Sequence, residues 1–246
     1  MSMERRPGHE GSGLVTVLWN TTDGDERSRA RRLLLHGAAA ELGVPASEIW
    51  VDHEPGGRPL LCGAASGLQV SVSHARRALA VALCGGAAVG VDAEPVRRLS
   101  GAALARAWLA PAEAQWVAEL SGPEQQALGF LWLWTQKEAA GKALGRGLRA
   151  GGMSRQVALP EVWPPAVDGT PVLRPLPGNE RIASGAALVD GGRLVLGVAA
   201  EGPGPVGRVA LHRAALPPVH AADLTTSDMT VSELRLDKRP LDDPAG

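Results

Sequence analysis

The sequence predicts an α+β fold of two halves with similar plan, each a small antiparallel sheet packed on helices, related by a pseudo-twofold axis. Three observations support it. Short β segments joined by tight turns fill residues 68–94, and helical patterns fill residues 100–144. A second β pair, residues 186–190 and 193–199, is joined across Asp190-Gly191-Gly192, which is a strong hairpin signal.

The first half begins with a predicted strand at residues 14–19, followed by a turn that offers a helix cap up to Asp25. Residues 26–42 have helical character, because Leu34 and Leu42 recur on one face, and Gly43 ends the pattern. Residues 56–60 form a turn into an extended piece. Residues 68–94 then predict three short strands in an antiparallel meander.

The second half begins with three predicted helices, at residues 100–108, 110–120 and 123–144, the last ended by Gly145 and Gly147. The hairpin of residues 186–199 follows. We therefore divide the chain into four parts. They are a flexible leader (1–13), an N-terminal α+β half (14–95), a C-terminal α+β half (96–202) and an irregular or disordered tail (203–246).

Composition favours a soluble cytoplasmic protein. Hydrophobic residues make up 45% of the 246 and charged residues 21%, and the formal net charge is -1, which argues against general nucleic-acid binding. No stretch reaches the roughly 18 apolar residues that span a bilayer, so no membrane association is expected. Cys62 and Cys84 lack metal-ligand spacing and are predicted to be buried, reduced thiols.

The first candidate cluster is Asp92 and Glu94, which follow Gly90 on a predicted strand. Strand side chains alternate, so the two carboxylates point to the same face. Two adjacent carboxylates repel each other unless a cation lies between them, and a hard divalent ion such as Mg²⁺ prefers oxygen ligands. Taken alone, the pair is more typical of two solvated acids at an exposed strand end.

The second cluster is Trp134, Glu138 and Lys142, which occupy one face of a predicted helix at i, i+4 and i+8. Glu138 and Lys142 could form an ordinary exposed helix pair. Gly141 is unfavourable within a helix, by about 1 kcal/mol relative to Ala. Its lack of a side chain either lets a bulky group approach this face or serves helix packing.

The third cluster is Ser73-His74, at the end of a predicted strand and beside Arg76 and Arg77. A histidine here, helped by the serine hydroxyl, could contact a phosphate. The alternative is a turn histidine with no ligand.

In this order the three clusters resemble the 4'-phosphopantetheinyl transferase superfamily, and within it the larger monomeric, surfactin-synthetase-activating class. The family pattern Gly-x-Asp-x-Glu is matched by Gly90, Asp92 and Glu94. The family's Ser-His is matched by Ser73-His74, and its Gly-Lys/Arg-Pro by residues 57–59. The pattern Trp-x-x-Lys-Glu-Ala-x-x-Lys-Ala-x-Gly-x-Gly-Leu is matched by Trp134, Lys137, Glu138, Ala139, Lys142, Ala143, Gly145, Gly147 and Leu148.

The resemblance departs from the family pattern at Ser71, often Asn in the family, and at Ala75, often Ser or Thr. The family's basic residues of the first helix are only loosely matched, with Arg31 the best candidate. The resemblance covers roughly residues 14–200.

The resemblance implies an enzyme of the holo-[acyl-carrier-protein] synthase type. Such an enzyme moves the phosphopantetheine arm of coenzyme A to a serine of an apo peptidyl, polyketide or acyl carrier protein and releases 3',5'-ADP. It implies Mg²⁺ held by Asp92, Glu94 and Glu138. Lys142 would stabilise the leaving group, Lys137 would do the same or pair with a carboxylate, and Glu138 is the candidate base. The cofactor-binding candidates are Arg31, Arg58, Ser73, His74, Asp92, Lys137, Glu138 and Lys142.

The resemblance further implies a monomer with its site between the two halves. Acidic carrier helices would dock on a basic rim, for which the candidates are Arg76, Arg97, Arg98, Arg146 and Arg149. Two other functions stay open: a Mg²⁺-dependent hydrolase of the coenzyme A pyrophosphate, and a non-catalytic coenzyme A-binding protein.

Overall fold

The computed structural model describes residues 13–22, 24–147, 152–202 and 208–215. The helices within them are α1 (Glu26–Leu42), α2 (Gly101–Trp108), α3 (Pro111–Glu119) and α4 (Gly122–Ala143). The strands are β1 (Leu14–Thr21), β2 (Ile49–His53), β3 (Pro59–Gly63), β4 (Gln69–Ala75), β5 (Ala78–Cys84), β6 (Ala88–Pro95), β7 (Arg174–Leu176), β8 (Asn179–Val189), β9 (Leu194–Glu201) and β10 (Arg208–Arg213). The protein is therefore of mixed α+β class, as predicted.

Helix α1 has the limits that its local sequence predicts. The Asp25 side chain accepts a hydrogen bond from the Ser28 N–H at 3.1 Å and so satisfies a free donor of the first turn. At the other end Gly43 adopts a left-handed conformation with φ of 66°, which costs glycine no steric strain.

Two four-stranded sheets and one separate hairpin make up the β structure of the described residues. The first sheet has the strand order β10-β1-β5-β4, and the second has the order β6-β9-β8-β7. Strands β2 and β3 pair only with each other. The hairpin predicted around Asp190 is confirmed, because β8 and β9 pair antiparallel with Val189 opposite Leu194.

The two sheets lie face to face, with helices on the outer face of each. The core between the sheets contains Val17 and Ala82 from the first sheet and Val91 and Val198 from the second. Helix α1 covers the outer face of the first sheet. Helices α2, α3 and α4 cover the outer face of the second. A pseudo-twofold relation between these halves stays a prediction.

The predicted meander over residues 68–94 is wrong in its last strand. Strands β4 and β5 form the expected antiparallel pair, but β6 pairs with β9 in the other sheet. Helix α4 crosses β6 at Gly90, where a Cβ atom would stand 1.8 Å from the Ala139 carbonyl oxygen. Pairing across more than a hundred residues cannot be found from local alternation.

Residues 208–213, expected to belong to an irregular tail, form β10 and run parallel to β1 in the first sheet. Arg213 stacks over the Trp19 ring at 5.3 Å, and its guanidinium lies 3.1 Å from Asp190. Strand β6 ends at Pro95 but pairs in the second sheet, so sheet membership does not follow the predicted division between residues 95 and 96. The rest of that tail from residue 216 onward, and leader residues 1–12, lie outside the described residues.

Helix α4 and the other described helices are too short or too polar to cross a bilayer. Cys62 and Cys84 are both free thiols, as predicted. Cys84 is also buried, as predicted, but Cys62 is only partly buried.

Candidate active site

Strand β6 carries two buried carboxylates on the face that meets α4. Asp92 is only 4% exposed and Glu94 only 9% exposed. The alternating residues Val91 and Ala93 point the other way, into the core between the sheets. Because an unpaired buried charge is costly, each acid needs a nearby partner. This burial excludes the interpretation of two solvated acids at a strand end.

Each carboxylate is paired with a basic side chain. Lys142, in the last turn of α4, places its Nζ 2.8 Å from Asp92 Oδ1 and 2.8 Å from the Val91 carbonyl oxygen. Arg97 Nη1 lies 2.8 Å from Glu94 Oε2. Asp92 and Lys142 come from predicted clusters 50 residues apart, and the fold brings them into contact.

Strand β4 reaches β6 through two serine side chains at the line where the two sheets meet. β4 and β6 are edge strands of different sheets. The Ser71 hydroxyl accepts a hydrogen bond from the Val91 N–H at 3.1 Å, and the Ser73 hydroxyl accepts one from the Ala93 N–H at 3.3 Å. Ser73 also donates to Asp92 Oδ1 at 2.9 Å. Ser73, a predicted site residue, therefore holds Asp92 in place.

Replacing Ser71 with Ala is expected to lower the free energy of unfolding by about 1–3 kcal/mol, because the buried Val91 N–H loses its acceptor. Chemical denaturation of the purified variant measures this. Ser47→Ala, at an exposed position, is the matched control and should change stability very little. Equal stability of both variants would contradict the role of Ser71.

The second oxygen of Asp92 is a candidate metal ligand. Asp92 Oδ2 is buried and accepts no hydrogen bond from any described residue. A buried carboxylate oxygen without a donor is unfavourable, and a hard cation that prefers oxygen ligands would satisfy it. With Glu94 on the same strand face, the donor set fits Mg²⁺.

The structure does not show the predicted three-carboxylate metal site. Across residues 13–22, 24–147, 152–202 and 208–215, no group of three or more His, Cys, Asp or Glu side chains is arranged to hold a metal ion. Glu138 is partly exposed on α4, one turn before Lys142. The metal site formed by Asp92, Glu94 and Glu138 therefore stays a prediction.

The structure does not bring Lys137 to this face. Lys137 is completely buried, and its Nζ lies 2.7 Å from Glu113 Oε2 on α3. Of the two expected roles, contact with a phosphate or pairing with a carboxylate, it shows the pairing. Burial lowers the pKa of Lys137, and Glu113 opposes that shift. The sequence did not predict Glu113 as the partner of Lys137, because a glutamate in the first turn of a helix indicates only helix capping.

The structure places Arg58, His74 and Arg31 on different elements, and the predicted rim residue Arg149 lies outside the described residues. Arg58 donates to Gln69 at 3.4 Å, and its Nη1 lies 3.9 Å from where a Cβ would stand on Gly145, just after α4. His74 points to the opposite face of β4 from Ser73, toward the start of α1. There the Arg77 N–H, with a smaller contribution from His74, lowers the pKa of Glu26. Arg31 is exposed on α1.

A cleft of about 220 Å³ lies on the second sheet, between β8 and the chain that follows α4. Its lining includes Trp132, Gln136 and Ser184 but none of the predicted site residues. The Ser184 hydroxyl donates to Gln136 Oε1 at 3.2 Å, so these polar groups satisfy each other. The candidate site is therefore defined by the contacts of β4, β6 and α4, and not by this cleft.

This arrangement places a positive charge, Lys142, beside the buried Asp92 carboxylate. Asp92 and Glu94 would supply oxygen ligands to a divalent cation, which would add positive charge for a phosphate group.

No curated protein matches the chain. A family model does match part of it, from the first residue of β6, through α2, α3 and α4, to residue 172. The matched segment contains Asp92, Glu94, Glu138 and Lys142, while the candidates on α1, on β4 and just before β3 precede it. Residues 88–172 match the 4'-phosphopantetheinyl transferase superfamily.

Proposed function

We propose that this protein transfers the 4'-phosphopantetheine arm of coenzyme A to a serine hydroxyl of an apo carrier protein, releasing 3',5'-ADP. The acceptor would be a peptidyl, polyketide or acyl carrier, and the enzyme would act as a cytoplasmic monomer of the larger class. One observation carries the proposal. The pair of the buried Asp92 and the partly exposed Lys142 joins two motifs within the segment that matches the family.

Asp92, Glu94 and Glu138 are the residues that would hold Mg²⁺. When bound, Mg²⁺ supplies positive charge that neutralises the pyrophosphate and makes its phosphorus easier to attack. The buried Asp92 Oδ2, which no described donor satisfies, supports this assignment. Ser73 fixes the other oxygen of the same carboxylate and so sets its orientation.

Lys142 is assigned to the leaving group. Its side chain is 28% exposed, and it contacts Asp92 while keeping access to solvent. It can therefore bind a phosphate oxygen as 3',5'-ADP gains negative charge. The carrier serine oxygen forms the new bond to phosphorus, and the electron pair of the broken P–O bond leaves with 3',5'-ADP.

Glu138 is the candidate acceptor of the serine proton, directly or through a water molecule. It lies on the same face of α4 as Lys142, one turn away. A carboxylate bound to Mg²⁺ is a weaker base, so its two assigned roles compete.

Binding of the 3'-phosphate of coenzyme A is assigned to Arg58 and His74, with Arg31 as a third contributor. The place of Arg58 beside the end of α4 supports this, since a guanidinium offers two parallel donors to phosphate. Carrier docking is assigned to the basic rim. Arg97, which is 40% exposed and paired with Glu94, would link that rim to the site.

The decisive test is mass spectrometry of an apo carrier protein incubated with the enzyme, Mg²⁺ and coenzyme A. We expect the carrier to gain the mass of one phosphopantetheine arm on its serine. EDTA should abolish the gain, and a carrier with that serine replaced by Ala should show none. Release of 3',5'-ADP without any carrier would instead support the hydrolase. Coenzyme A binding with neither product would support a non-catalytic protein.

A further inference from the structure

The chain that leaves α4 folds back onto that helix. The N–H groups of Arg146 and Gly147 both donate to the Gly141 carbonyl oxygen, at 3.0 and 2.9 Å. A Cβ on Gly141 would stand only 2.2 Å from the Gly147 carbonyl oxygen. The glycine at this position is therefore explained by the close approach of the returning chain.

One turn earlier on the same face of α4, Lys137 binds the returning chain a second time. Its ammonium donates to the Met153 carbonyl oxygen at 3.1 Å and to the Arg155 carbonyl oxygen. The third partner of the ammonium is Glu113, at 2.7 Å. A lysine ammonium has three hydrogens. All are used here, and none remains for a phosphate.

Glu113 completes the connection from α3. Besides Lys137, it accepts hydrogen bonds from the Val157 N–H at 2.9 Å and from the Ala110 N–H at 3.0 Å. Glu113 is 2% exposed and Val157 is 3% exposed. One buried ion pair thus joins α3, α4 and the segment of residues 153–157.

We infer that Lys137 and Glu113 are positioning residues, which fix the segment of residues 153–157 along α4 and so form one side of the candidate active site. Glu138 follows Lys137 directly and lies on the adjacent face of α4. The returning chain contacts α4 at Lys137, just before Glu138, and again at Gly141, three residues after it. Loss of the pair would release this segment and widen the side of the site next to Glu138. The inference rests on the proposed function for its effect on transfer.

The test compares Lys137→Met with the double variant Glu113→Gln/Lys137→Met. The single variant leaves a buried carboxylate without its cation, and we expect its Tm to fall by roughly 5–10 °C. Exchange of the Val157 amide hydrogen should become at least about tenfold faster. The kcat/KM for transfer should fall by about 10–100-fold, mainly through a higher KM for coenzyme A. The double variant removes both charges and should recover most of all three quantities.

Lys142→Met is the matched control, the same substitution five residues later on α4. It should lose transfer and also lower Tm, because the buried Asp92 loses its cation. Val157 exchange should nevertheless stay close to that of the wild type, because the partners of Lys142 are Val91 and Asp92 and not residues 153–157. All kinetics are measured well below the lowest Tm.

Two outcomes would overturn the inference. If the double variant regains Tm and amide protection but not transfer, the Lys137 charge acts on the substrate. If Lys137→Met leaves Val157 exchange unchanged, the pair does not hold the segment. A wild type that transfers no arm would refute the proposed function alone, because Tm and amide exchange still test the positioning role.

Discussion

Replacing Asp92 with Asn is expected to lower kcat/KM for carrier modification by about 100-fold or more. The carboxylate is one of two buried acids on β6, and its Oδ2 has no donor among the described residues. Asn keeps the size of the side chain and can still accept the Ser73 hydrogen bond, but it removes the charge that would attract Mg²⁺ and hold Lys142. Binding of Mn²⁺, measured by electron paramagnetic resonance, should weaken in parallel.

Thermal stability separates this effect from a folding defect. The buried Asp92 charge is only partly satisfied, so we expect its loss to shift Tm by no more than a few degrees. Asp190→Asn is the matched control, since Asp190 is also buried, at 7% exposed, and pairs with Arg193 and Arg213. That control should lose stability and keep transfer. Full activity of the Asp92 variant would remove Asp92 from the proposed site.

Features set by neighbouring residues were predictable from the sequence. The limits of α1 follow from a capping carboxylate at Asp25 and a left-handed glycine at Gly43, both of which act within one turn. The turn at Asp190 likewise determines the hairpin of β8 and β9. The placement of Asp92 and Glu94 on one face follows from strand alternation alone.

Features that depend on distant contacts were not predictable. One edge of β6 pairs with β9. On its other edge, the backbone N–H groups of Val91 and Ala93 donate to serine hydroxyls of β4, which belongs to the other sheet. Strand β10 was missed because its support comes from Trp19 and Asp190, far away in sequence.

The different roles of Lys137 and Lys142 were partly predictable from the geometry of a helix. Five residues apart, they point about 140° away from each other, so they cannot both contact the same ligand face. The sequence could not show which of the two meets β6. That depends on which face of α4 packs on the sheet, and Gly90 and Gly197 determine it by allowing close approach. The buried partner Glu113 lies on a different helix and could not be assigned from spacing.

Replacing Gly90 with Ala is expected to lower the free energy of unfolding by about 3 kcal/mol and to reduce transfer as strongly as a change in the site itself. A Cβ at this position would stand 1.8 Å from the Ala139 carbonyl oxygen and 2.8 Å from the Ala143 backbone nitrogen. Backbone atoms of a helix cannot move individually, so α4 as a whole must shift away from β6. Lys142 lies on this helix and Asp92 on this strand, so their 2.8 Å contact should be lost.

Gly85→Ala is the matched control for Gly90→Ala. A Cβ on Gly85 meets no heavy atom within 4 Å, and its backbone lies outside the left-handed region. The free energy of unfolding of the Gly85→Ala variant should stay within about 0.5 kcal/mol of the wild-type value, and the variant should keep full transfer activity. Denaturation curves and kcat/KM of both variants decide the question. If Gly90→Ala were as stable and active as Gly85→Ala, the close contact of α4 with β6 would not hold the site together, because the helix could then shift without affecting the Asp92–Lys142 pair.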